Sequence, residues 1–121
     1  MKWWLCIAAI NGALAVACGA FAAHGLAGRL DAHALGLFET GARYHMYHAL
    51  ALGLAAFSMR AGVPALMAAW AFLTGIVLFS GSLYLLALTG NRIFAMVTPF
   101  GGVAFLAGWI ALAWAATRIE T

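Results

Sequence analysis

Residues 38–50, F-E-T-G-A-R-Y-H-M-Y-H-A-L, hold most of the side chains in this sequence with chemistry to offer. Glu39 and Arg43 stand four apart, and His45 and His48 three apart, so each pair shares one helix face. The first spacing predicts an ion pair that fixes the depth and rotation of a helix. The second is H-x-x-H, but two ligands do not make a zinc site, and no third ligand is near in sequence. His24 ends an earlier apolar segment, and the pattern puts it at the same depth as His48. Two histidines on facing helices are a way to hold a haem, so His24 and His48 are the weak cofactor candidates; the expected arrangement has each bonded to a backbone carbonyl or a tyrosine instead. A proton relay through a membrane needs a chain of acidic or histidine groups. No carboxylate occurs between residues 65 and 117, so no such chain is expected.

Other catalytic arrangements are thin. Ser58, Ser80 and Ser82 have no base and acid beside them in sequence, so no nucleophile set is named. The phosphate-loop spacing with Lys-Ser or Lys-Thr is absent. Gly75 and Gly81 therefore suit helix contact better than phosphate. Cys6 and Cys18 are about 18 Å apart along a straight helix, too far for a disulfide. Both are expected to be small buried apolar residues.

The elements that carry these groups follow from composition. Mean hydropathy is +1.03 and charged residues are 7% of 121, where a soluble domain carries about a quarter. So apolar a chain needs lipid. Its net charge of +3 comes from scattered single cations, with no basic cluster for nucleic acid. A span takes about 20 apolar residues, so four nearly use up the chain. The expected class is all-α: four transmembrane helices in one small bundle, a single domain over 1–121, with spans near 3–23, 44–59, 65–88 and 99–117.

Span one opens with Trp3 and Trp4 at headgroup level. Its small residues Gly12, Ala15, Gly19 and Ala23 form a close-approach stripe. A-F-A at 20–22 resembles a signal-peptidase site, yet the apolar run is longer than a signal core; a retained helix is expected. Gly25 and Gly28 end it, and Asp31 caps the next helix. From Ala32 the helical pattern runs to Met59. Its first part, to Arg43, is expected to lie at the interface as a short helix or to project as a helical extension, with Leu35, Phe38 and Ala42 on one face, and Gly41 is a possible bend. Gly90 suits a C-cap. Thr98 and Pro99 read as N-cap and first turn of span four; the alternative starts that helix at Arg92 and kinks it at Pro99. Termini share one side, and short connections with Lys2 tilt it to the cytoplasm.

Four motifs in order, G-A-F-A-A-H-G-L (19–26), F-E-T-G-A-R-Y-H-M-Y-H-A-L (38–50), F-S-G-S-L-Y-L-L-A-L-T-G (79–90) and T-P-F-G-G-V-A-F-L-A-G-W (98–109), cover nearly the whole chain. The chain thereby resembles the YgdD/YwdK-like family of small integral membrane proteins of unknown function. The resemblance implies a bacterial inner-membrane protein of four spans with no cleaved signal and no carried-over enzyme activity. It points to His24, Glu39, Arg43, Tyr44, Tyr47, His48, Ser80, Ser82, Tyr84, Thr98 and Pro99 as the polar set, gathered near one membrane face. That family usually has Gln where His45 stands, which weighs against a shared His45–His48 metal pair.

The expected function is that of a non-enzymatic accessory, scaffold or assembly protein. It has no cofactor and uses its small-residue stripes to bind a larger membrane complex or a second copy. The alternative is a module that binds or transports a small apolar molecule or lipid. A His24–His48 redox protein comes third.

Overall fold

The computed structural model describes residues 2–119. The chain runs through α1 (Lys2–Phe21), a π-helical turn (Ala22–Leu26), α2 (Ala32–Arg60) and α3 (Leu66–Gly75). A second π-helical turn (Ile76–Ser80) joins α3 to α4 (Gly81–Thr89), and α5 (Ile93–Ala116) completes the bundle. Among the described residues, three stretches are long and apolar enough to cross a membrane: Lys2–Leu26, Leu66–Thr89 and Ile93–Ala116. α2 is more polar because it carries Glu39, Arg43 and two buried histidines. It nevertheless runs the full height of the α3–α4 helix. Phe38 clusters with Ala87 at one end, and Leu52 and Ala55 with Ala65 and Ala68 at the other. The fold is an all-α membrane bundle in which α2 is the common partner of α1, α3 and α4.

The packing is inside-out relative to a soluble protein. The interior is largely alanine, including Ala8, Ala15, Ala55, Ala65, Ala68, Ala69 and Ala115. Large apolar side chains such as Ile10, Leu50, Trp70, Phe100 and Ile110 point outward. Lipid is as apolar as leucine, so helices associate through close approach of small residues and through hydrogen bonds.

Local signals set the boundaries. The Asp31 carboxylate accepts from the Ala34 backbone N–H at 2.7 Å and caps α2 as expected. Gly90 ends α4 in the left-handed region at φ 69°, where a Cβ would be strained.

The helix bounds decide two expectations. Residues 32–43 do not form a separate interfacial helix but extend the helix that continues through 44–59: α2 is one unbroken helix of 29 residues, about 43 Å long. Gly41 lies inside it and gives Tyr84 room, since a Cβ there would lie 2.9 Å from the Tyr84 ring. Thr98 does not cap a helix beginning at Pro99; α5 starts at Ile93 and carries Pro99 inside it. That proline removes one backbone donor, and the Thr98 hydroxyl beside it bonds the Phe94 carbonyl at 3.2 Å.

Candidate functional site

The interior polar groups form two networks around the histidines of α2. At 1.5 Å per residue, His45 and His48 lie about 20 and 24 Å along α2 from Ala32, in mid-bundle. The polar set is therefore not gathered at one membrane face. His24 sits in the first π-helical turn, next to the 27–31 connection, and is exposed. It lies about 20 Å from the depth of His48, so the two are not at one level.

His48 has both ring nitrogens occupied. Nδ1 faces the Tyr44 carbonyl oxygen at 2.8 Å, which only accepts, so Nδ1 carries the proton. The Trp109 indole N–H, which only donates, reaches Nε2 at 3.1 Å. The result is one neutral tautomer with no lone pair left for a metal or haem iron. Its ring stacks on Phe105 with centroids 3.5 Å apart and planes 7° apart. Phe105 also fills the space a Cβ would take on Gly75.

His45 bridges three helices. Asn11 of α1 spends its amide N–H on the Ile7 carbonyl at 2.9 Å. Its side-chain oxygen is then the acceptor for His45 Nε2–H at 3.0 Å. On the other side His45 Nδ1 accepts from the Tyr84 hydroxyl at 3.0 Å. Tyr84 in turn packs on Phe38, with centroids 4.7 Å apart.

A third set ties α3–α4 to its neighbours. The fully buried Ser80 hydroxyl donates to the Gly41 carbonyl at 2.7 Å. Ser82 and Thr98 share a hydroxyl–hydroxyl bond of 2.6 Å between α4 and α5. Ser80 is the last residue of the second π-helical turn, which sets the Phe79 backbone against Gly101 of α5. Among the described residues, every buried side-chain nitrogen or oxygen has a partner.

Of the residues named from sequence, the fold thus brings together Tyr44, His48, Ser80, Ser82, Tyr84 and Thr98, and leaves out His24, Glu39, Arg43 and Tyr47. Tyr47 is 51% exposed and contacts the ring of Tyr44 edge-on. Glu39 and Arg43 do not pair. The Arg43 guanidinium donates to the Thr40 hydroxyl at 3.3 Å. Both residues line a surface depression between α1 and α2, with Ala15, Gly19, Ala42 and Met46. The cysteines also depart from expectation: Cys6 is exposed and Cys18 only half-buried.

The sequence reading missed Asn11, Trp109 and Phe105, and gave His45 no structural part. Asn11 left one signal, as the lone amide in an otherwise apolar span. Trp109 and Phe105 left none, because an aromatic residue in a span reads as lipid-facing until a partner is seen.

A helical bundle with an alanine interior, lipid-facing aromatics and internally satisfied polar groups is an integral membrane protein. The family described as "Protein of unknown function (DUF423)" matches residues 18–102. The UPF0382 membrane protein YwdK of Bacillus subtilis is 46% identical over 121 residues, covering 98% of each chain. The UPF0382 inner membrane protein YgdD of Escherichia coli is 45% identical over 121 residues, covering 98% of this chain and 92% of the relative. A UPF0382 membrane protein of Staphylococcus aureus is 42% identical over 113 residues, 93% of each chain. The chain belongs to this family of uncharacterised membrane proteins. No solved structure matches it.

Proposed function

We propose that this chain is a non-enzymatic accessory or scaffold protein that docks another membrane helix on the α1/α2 face. The observation that carries the reading is the state of Glu39 and Arg43. They lie about 10 and 16 Å along α2 from Ala32, exposed on the outside of the bundle and without a partner on α1. Beside them, Gly12 and Gly19 leave room that nothing among the described residues fills within 4 Å. Exposed charge at hydrocarbon depth is costly unless it is paired. A helix carrying complementary polar groups would pair it and seat against the glycines. The partnering of the buried side-chain nitrogens and oxygens among the described residues fits the same reading, since it gives those groups a structural use.

The relative's inner-membrane description suggests the same location here. The distribution of cations supports termini in the cytoplasm. Lys2, Arg60 and Arg118 lie at the terminal end, while Arg29 and Arg92 lie at the other and Arg43 lies within the bundle height.

The test is photo-crosslinking in intact membranes from a reactive side chain at position 12 or 46, with position 103 on the lipid face of α5 as control. Adducts to a protein are expected from 12 and 46 and not from 103. Equal yields at all three positions would remove the basis for a docking face.

A further inference from the structure

The lower half of the same α1/α2 seam differs chemically from the half that holds Glu39 and Arg43. Lys2, Leu5, Cys6, Ala9, Phe57 and Arg60 line a groove of about 490 Å³ between the start of α1 and the end of α2. Its two polar members are both cations, and no acid lies in its walls. Both stand at the same edge of the bundle, because Lys2 opens α1 and Arg60 closes the antiparallel α2. The Lys2 ammonium lies 5.2 Å from the Trp3 ring centroid, and a tryptophan at a span end marks the headgroup level. Below the cations the wall is apolar and open, with Leu5 54% and Phe57 68% exposed.

The charge pattern selects the occupant. A neutral apolar molecule would leave both cations unpaired. A small soluble anion would leave Leu5, Ala9 and Phe57 uncovered. A molecule with an anionic head at the membrane surface and an apolar tail beneath it satisfies both halves. We propose that this groove binds one anionic phospholipid, with its phosphate between Lys2 and Arg60 and an acyl chain along Leu5, Ala9 and Phe57. The site goes beyond the docking proposal and uses different residues, so either stands without the other.

The first test is native mass spectrometry of the full chain in detergent, titrated with phosphatidylglycerol or phosphatidylcholine. One phosphatidylglycerol is expected to be retained in preference to phosphatidylcholine. Each of Lys2→Gln and Arg60→Gln should weaken retention about fivefold, and the pair about 25-fold. Arg29→Gln with Arg92→Gln, at the opposite edge, should leave it unchanged. Equal retention of the two lipids, or equal loss in the Arg29/Arg92 variant, would overturn the proposal. The second measurement removes no charge and uses Cys6 in the groove wall. In a Cys18→Ala chain, maleimide labelling of Cys6 should slow severalfold in phosphatidylcholine vesicles that contain phosphatidylglycerol, relative to phosphatidylcholine alone. Equal labelling rates would likewise overturn it.

Discussion

Gly101 and Gly102 are neighbours on α5, yet a methyl group added to each meets different surroundings. At Gly101 the new Cβ would lie 2.6 Å from the Phe79 Cα and 2.7 Å from the Leu78 carbonyl carbon, and closer still to the Phe79 nitrogen. All three are backbone atoms of the second π-helical turn and its flank, so no side-chain rotation relieves the clash. Non-bonded carbon atoms settle at about 3.5 Å or more, so α5 must retreat by at least about 1 Å to clear the nearest of the three. That retreat strains the Ser82–Thr98 bond, the Trp109–His48 bond and the His48–Phe105 stack together, because all three cross to α5. At Gly102 the nearest atom is a Phe79 ring carbon at 3.9 Å, an ordinary contact. Overpacking costs about 1–3 kcal/mol, while replacing a helical glycine by alanine gains up to about 1 kcal/mol. Gly101→Ala should therefore be less stable than Gly102→Ala by about 2 kcal/mol, with Gly102→Ala at or above wild type. The assay is reversible unfolding in mixed micelles with increasing dodecyl sulfate, monitored by tryptophan fluorescence. If the two variants unfold within about 0.5 kcal/mol of each other, well inside the spread that overpacking produces, α5 does not seat on the π-helical turn and the packing argument is wrong.

The polar networks carry three further expected outcomes. His45→Leu leaves the Asn11 oxygen and the Tyr84 hydroxyl without their partner and should cost about 1–2 kcal/mol in the same assay. His45→Gln keeps a donor and an acceptor and should cost less than half of that; equal losses would refute the bridging role. Trp109→Phe keeps the ring but removes the N–H on His48 Nε2. It should cost about 0.6–1.7 kcal/mol and make His48 newly reactive to diethyl pyrocarbonate, a gain in labelling readable by mass spectrometry. Ser80→Ala should cost about 1 kcal/mol through its buried bond to the Gly41 carbonyl. Ser58→Ala, whose hydroxyl bonds only its own helix at the Leu54 carbonyl, should change stability little, and a reversed order would contradict the burial of Ser80.

The sequence by itself determined the solvent, the helices and the family. A mean hydropathy of +1.03 requires lipid, and cap signals at Asp31 and Gly90 act within a few residues, so both were legible. The four-motif resemblance is likewise a property of the string. What the tertiary structure decided concerns groups many residues apart. The start of α5 depended on packing, whereas the helical pattern from Ala32 already marked α2; what the fold added there is the burial of Phe38 with Ala87 of α4 and with Ala22 and Leu26 of the first π-helical turn. Thr98 finds Ser82 across a helix boundary, so its hydroxyl serves a neighbour instead of a cap. The Tyr44 carbonyl that meets His48 lies on its own helix and is the kind of partner the sequence suggests, but the distant side-chain partners of the histidines were out of reach for the same reason. Asn11 and Tyr84 lie 34 and 39 residues from His45, and Trp109 lies 61 from His48. Spacing along one helix reports which side chains share a face, and on that basis it paired Glu39 with Arg43 and matched His24 with His48. Which face meets which is set by how four alanine-lined helices close on one another, and only the folded bundle specifies that.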